Sequence, residues 1–426
     1  MREVIKEIVY GKRNRYSILL RKIEYKFFSV LRFLHFRNVE SKDNVVVLYP
    51  VFRENSVMND ALNRAIWSFP PNSEFKIYYA SHTELKLQEI PFQHSFLRDS
   101  FKTGNSNVIR VRPDELDGYA TRAKRVLLWE KAERYKVVLS KFGGNVRIVD
   151  PLYYSLEECN TMKFGLYDVM AKDRREEFYK QTIDNFRRFK RKNIGKESSY
   201  IFLTGPSFSS YKELQYKENS LKIVCNTIVK DKQFLEFIGG PDLICFCDPA
   251  FHFSTNEYAN TFRNLVLDCV MKYGSYIAIP QSCVPLISYN FPEIKNKIIG
   301  LRRAFEYTIP TEDNLSVKPT GSVITFMMLP LAVSISKYIG IIGADGRGKQ
   351  ENYFWKHNDK VQLTELMECV YETHPSFFRD RSYEDHYVQH CDEVRKMVEL
   401  GESYGAVINA RTPSFVPCLE ERYEKE

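Results

Sequence analysis

The sequence predicts an α/β protein made of two Rossmann-like domains with mostly parallel sheets. Three observations predict it. Short runs rich in Val, Ile, Tyr and Phe alternate with helix-compatible stretches over residues 41–155. The same alternation resumes at residue 199, and there the apolar runs end repeatedly in small or polar residues. A chain of 426 residues, 44% hydrophobic, is also long enough for two cores.

Residues 1–40 hold ten Lys/Arg against four Glu, interleaved with Tyr10, Tyr16, Tyr25, Phe27, Phe28, Phe33 and Phe36. They predict a basic amphipathic helix, suited either to an anionic membrane surface or to packing on its own domain. The first α/β domain follows over 41–155. Its expected strands are "NVVVLYP" (44–50), "FKIYYA" (75–80), "NVIRVRP" (107–113) and "NVRIVDP" (145–151), with helices over 57–68 and 119–135. A basic helical connector, 156–198, contains "RRFKRKNIGK". The second domain, 199–426, is expected to use "YIFLTG", "LKIVCN", "LICFCD", "YIAIP", "YIGIIGAD" and "GAVINA" as strands.

The apolar run "VITFMMLPLAVSI" (323–335) is shorter than the roughly 18 residues a membrane span needs, and Pro330 interrupts it; it reads as a buried helix. Arg2, Lys6 and Lys12 break any leader-like apolar run. Nine cysteines without paired spacing suit a reducing compartment, and Cys245 with Cys247 is too little for a zinc site. The expected location is cytoplasmic, peripheral to the inner face of the membrane.

Open α/β sheets bind ligands at the carboxyl ends of their strands. Those ends here carry Gly205-Pro206-Ser207, Asn226, Asp248-Pro249, Gly343 to Gly348 (including Asp345 and Arg347) and Asn409. Gly205 permits close backbone approach, Pro206 starts a helix, and Ser207 can cap it, leaving N–H groups for an anion. The turn has neither GxGxxG nor GxxxxGK[ST]. Each residue alone is equally an ordinary corner or cap. Together they point to a nucleotide-type ligand.

At these residues the chain resembles the bacterial lipo-oligosaccharide sialyltransferases, and more distantly the motility-associated flagellin glycosyltransferases and archaeal hydroxymethylpterin pyrophosphokinases. The blocks are "TGPSF", "VCNTI", "CFCDPAFHF", "PTGSVITFMMLPLAVSISKYIGIIGAD" and "DEVRKMVELGESYGAVINARTPSF", in that order across 200–426. The resemblance implies a sialyltransferase-like, GT-A-variant domain. In it Gly205, Pro206, Ser207, Asn226, Ser322 and neighbouring Thr320 and Gly321 would surround a CMP-activated sugar. It further implies that a late histidine, His386 with His390 as second choice, deprotonates the acceptor, and that Tyr353 sits beside the departing phosphate.

The departures carry information. Asp248 stands where those enzymes have asparagine, and an aspartate accepts hydrogen bonds from hydroxyls rather than donating to a carboxylate. Arg347 replaces one leaving-group tyrosine and can neutralise a phosphate or the donor's carboxylate. "HYVQH" puts His386 and His390 one helical turn apart, but Tyr387 replaces the glutamate of HExxH and a third metal ligand is lacking. Imidazole can take a hydroxyl proton near neutral pH, with Asp385 or Asp392 orienting the ring. No DxD occurs, so no metal or other cofactor is expected; CMP carries one phosphate that protein donors can meet.

The expected function is therefore an inverting glycosyltransferase taking a CMP-sugar donor and a glycan or glycolipid acceptor, with no nucleic-acid partner. A pterin-type pyrophosphokinase and a non-catalytic interaction protein are the alternatives.

Overall fold

The computed structural model describes residues 23, 26, 30, 42–129, 135–153, 155–347, 358, 360–380 and 383–425. The basic segment 1–40 thus lies outside the described residues, save Ile23, Lys26 and Val30, which are helical.

Two sheets organise the chain. The first contains β1 (Asp43–Tyr49), β2 (Lys76–Tyr79), β3 (Val108–Arg110), β4 (Ala123–Leu128) and β5 (Val146–Ile148), in the order β3-β2-β1-β4-β5. All its pairings are parallel. The residues of β1 alternate between two cores: Val46 and Leu48 join one with Ile77, and Val45 and Val47 the other with Val126. A strand covered on both faces needs apolar residues at successive positions, which is why "VVVL" is continuous. Each such side chain contributes about 1.5–3 kcal/mol on full burial.

One expected helix is corrected. Residues 119–135 do not form one helix: a helix ends at Arg122, and Ala123–Leu128 is the buried interior strand β4. Its lysine and arginine disguise it. Lys124 and Arg125 are nevertheless buried, the first with its ammonium over the Phe75 ring and the second 3.8 Å from Asp168. Long basic side chains bury their stems and carry the charge to the edge.

The second sheet contains β6 (Ser198–Phe202), β7 (Leu221–Cys225), β8 (Leu243–Cys245), β9 (Tyr276–Pro280), β10 (Ile298–Arg303), β11 (Ser316–Val317), β12 (Tyr338–Ile342) and β13 (Val407–Ala410). Its order is β11-β10-β9-β8-β7-β6-β12-β13, again parallel throughout. The chain steps outward from β6 to β11, returns to β12 beside β6, and finishes on β13. Strand order therefore reverses between β6 and β12. That is where an open α/β sheet opens a crevice at its carboxyl edge.

The expected connector is part of the layer covering this sheet. It forms helices Ser155–Val169 and Lys172–Lys192; Asn185 donates to Ile298 O (2.7 Å), and Arg302 pairs with Glu176 (2.8 Å). The first sheet's helix Asn55–Ser68 reaches the second unit through Trp67 Nε1, which donates to Phe253 O at 2.6 Å. Residues 324–328 form a buried π-helical turn running into the helix Leu329–Val333. Among the described residues no helix is long and apolar enough to cross a membrane. All nine cysteines are free thiols.

Candidate functional site

The carboxyl ends of β6 and β12 close on each other. Leu203 N donates to Ile342 O (2.8 Å), and Gly205 N donates to Gly343 O (3.0 Å). Gly343 has φ +74°, and a Cβ on Gly205 would sit 2.6 Å from Gly343 O, so both positions demand glycine. The short 3₁₀ helix Pro206–Lys212 begins here.

The expected helix capping by Ser207 is corrected at this point. Ser207 makes no capping bond to its own helix. Its N–H donates to Asp345 Oδ1 (2.9 Å), its hydroxyl donates to Asp345 Oδ2 (2.8 Å), and that hydroxyl lies 2.9 Å from the Thr412 hydroxyl. Thr412 in turn accepts the Gly343 N–H at 3.0 Å. The anion at this turn is the chain's own carboxylate. Burial raises the Asp345 carboxyl above its ordinary range, and the bonds from Ser207 oppose that rise. Gly205 thus serves strand-to-strand approach, and the Ser207 N–H is taken up by Asp345.

Arg347 follows on the same loop, half-buried. Its N–H donates to the Tyr387 hydroxyl (3.1 Å), which lies 3.2 Å from Arg347 O and 3.3 Å from Phe415 O. The guanidinium stands 4.8 Å from the centre of the Tyr387 ring. One phenol therefore fixes both the backbone and the side chain of Arg347 against the helix Tyr383–Ser403.

That helix carries the histidines. His386, His390 and Glu393 share one face at i, i+4 and i+7. His386 is exposed, whereas His390 is buried, and burial lowers its pKa to about 4. His390 is therefore held as a neutral ring, and of the two histidines His386 is the one that faces solvent. Asp392 does not orient either ring, because it bonds Arg395 (2.7 Å) and Lys396. Glu393 Oε2 accepts the Gly321 N–H at 3.2 Å, which brings the Pro-Thr-Gly-Ser segment onto the histidine face. There the Thr320 hydroxyl is taken up locally by Thr325 (2.7 Å) and Ser322 O (3.2 Å), while Ser322 is buried and its carbonyl accepts from Phe326 N.

Asn226 ends β7 with φ +48°, a left-handed conformation that a non-glycine residue adopts at a cost. It is half-buried, and beside it Thr227 Oγ1 lies 3.5 Å from Gln362 Oε1. Asn358 and residues 360–366 lie across the β6 and β7 ends: Asn358 N donates to Thr204 O (2.7 Å), and Lys230 Nζ donates to Gln362 O (2.8 Å). Asp248 ends β8 as a helix cap, its Oδ1 accepting from Ala250 N (3.0 Å) and Phe251 N (3.2 Å). Four neighbouring strands put Asp248 about 14 Å along the edge from β12.

The edge thus brings together Gly205, Pro206, Ser207, Asp345, Arg347 and the His386 helix, with Gly321 beside that helix and Asn226 and Asp248 further along. Tyr353 lies outside the described residues. Tyr387 and Thr412 were not among the sequence candidates; Thr412 stands inside "NARTPSF", and Tyr387 reads as a spacer between histidines. Among the described residues no group of three His, Cys, Asp or Glu is placed to hold a metal ion. No family model, curated protein or solved structure matches the chain.

Proposed function

We propose that the second α/β unit is an inverting, metal-independent glycosyltransferase, sialyltransferase-like in its domain. It moves a sialic-acid-like keto-sugar acid from a CMP-sugar to a glycan or glycolipid acceptor of the cell surface. The observation that carries the reading is the convergence of the Arg347 loop and the exposed His386 at one strand-order reversal. In this reading His386 takes the proton of the acceptor hydroxyl. The oxygen bonds to the anomeric carbon from the face opposite the phosphate, and the bond to CMP breaks with its electron pair going to the leaving group. Arg347, held by Tyr387, faces the charge that develops on the phosphate. Asn226 meets the nucleotide with its amide.

Calorimetric titration tests it. CMP should bind with the same affinity in EDTA and in magnesium, and a strict magnesium requirement, or binding of ATP–magnesium without CMP, overturns the reading. Arg347→Ala and Asn226→Ala should each weaken donor binding by about 1.5–3 kcal/mol, the worth of a charge-assisted hydrogen bond. Neither residue lies in the core, so the circular dichroism spectrum should stay near wild type, with a small loss of melting temperature in Asn226→Ala because alanine tolerates φ +48° less well than asparagine. Unchanged donor affinity in both variants means the pocket lies elsewhere.

A further inference from the structure

Parallel strands put all their amino ends on one edge, so the edge opposite the candidate site collects the residues that precede each strand. The helices Lys172–Lys192 and Glu257–Tyr273 both finish there. They deliver Arg188, Arg191, Lys192 and Lys272, and Lys297 immediately precedes β10. These groups are contiguous. Lys192 Nζ donates to Gly274 O (3.4 Å), and Lys297 Nζ lies 4.5 Å from the centre of the Tyr276 ring, which packs on Phe189. The charge is also crowded: the Lys297 ammonium is held below its ordinary pKa by burial and then by repulsion from Lys192 and Arg188.

Neighbouring cations are neutralised, Arg187 by Asp313, Lys190 by Glu312 and Lys196 by Asp242. Among the described residues none of the five named above makes an ion pair, although Glu236 stands near enough to Lys272 to help hold its ammonium charged. Two large aliphatic side chains stand out beside them, Ile194 at 79% and Met271 at 69% exposure. Water-facing aliphatics among uncompensated cations have an unfavourable surface and a favourable destination, the boundary between anionic headgroups and acyl chains.

We infer that this edge is a docking face for an anionic phospholipid membrane. Exposed aliphatics decide for lipid over nucleic acid, whose single-stranded platforms present aromatic faces for stacking. The geometry has a consequence for access. The site lies at the other end of strands about 16 Å long, so a docked molecule turns its carboxyl-edge crevice away from the bilayer, toward a glycan acceptor that reaches out from the surface rather than a sugar held at the headgroups. The face is independent of the reaction proposed above.

The test uses the full chain, with residues 1–40 in place, and vesicles of phosphatidylcholine with or without phosphatidylglycerol. Wild type should partition onto the anionic vesicles and release with salt. The triple variant Arg188→Glu, Lys192→Glu, Lys297→Glu should lose about 10²-fold or more in partitioning, at roughly fivefold per cation removed from the surface. The variant Ile194→Ser, Met271→Ser should lose binding while keeping every charge. Either variant partitioning as wild type does, because the basic segment 1–40 alone anchors the chain, overturns the inference. An RNA oligonucleotide that binds the wild type and the Ile194→Ser, Met271→Ser variant equally, and strips the wild type from vesicles, overturns it as well.

Discussion

Replacing His386 by alanine is expected to lower sugar transfer by about 10²–10⁴-fold while leaving CMP affinity unchanged, the usual reach of a general base. The two readouts separate because the imidazole serves the acceptor hydroxyl, not the nucleotide. The exposed position of His386 on the helix Tyr383–Ser403 makes the substitution structurally mild. His390→Ala should behave in the opposite way. Its ring is buried, so truncation leaves a cavity and costs stability before it costs chemistry. Single-turnover transfer from CMP-sugar, beside calorimetry with CMP and a melting curve, distinguishes these. A His386→Ala enzyme with near-normal turnover beside a folded but inactive His390→Ala enzyme would remove His386 from the reaction.

The parts of this molecule legible from sequence are those governed by local rules. Apolar runs made β1, β2, β3, β5, β6, β7, β8, β9, β12 and β13 visible, and with them the small residues that end several of them. β4, β10 and β11 were not. "AKRVLL" satisfies a helical pattern as well as a strand, and only the insertion of those residues between β1 and β5 decides the matter. The site divided along the same line. Gly205, Asn226 and Arg347 stand out in the sequence because strand ends attract small and polar residues, and the structure puts them beyond the ends of β6, β7 and β12. That Ser207 and Asp345 would satisfy each other depends on β6 lying beside β12, a pairing between segments far apart in the chain. The contrast between His386 and His390 is likewise tertiary: both lie on one helical face, and the direction from which the core meets that face buries one and exposes the other. Tyr387 was hidden for a related reason. Its hydroxyl matters because a glycine-rich loop from another strand end passes over it.

Acidification is expected to destabilise the protein through two buried histidines. Burial lowers the pKa of both His252 and His390 to about 4, and Asp248 and Arg263 act on His252 in opposite directions. The cause at His252 is visible. Its Nδ1 accepts the Asp248 N–H at 2.9 Å and its ring packs 4.4 Å from that of Phe262, so a proton on Nδ1 would break the bond and charge an apolar pocket. In the unfolded chain both rings return to the ordinary value of about 6.5. As pH falls below that, the unfolded state binds protons first, so this stability is fully present above about 6.5 and drains away toward about 4. Each ring should cost about 2 kcal/mol at about pH 5 and about 3 kcal/mol at about pH 4. Two rings together therefore remove about 4 kcal/mol at about pH 5, a large part of the roughly 5–15 kcal/mol typical of a folded protein. Urea unfolding of the wild type at about pH 7 and about pH 5 measures the loss, and the variant His252→Gln, His390→Gln isolates the two rings from every other titrating group. The double variant should start less stable and fall more gently as pH drops. If its stability falls as steeply as that of the wild type, the two imidazoles are not held neutral by burial and the acid sensitivity belongs to other groups.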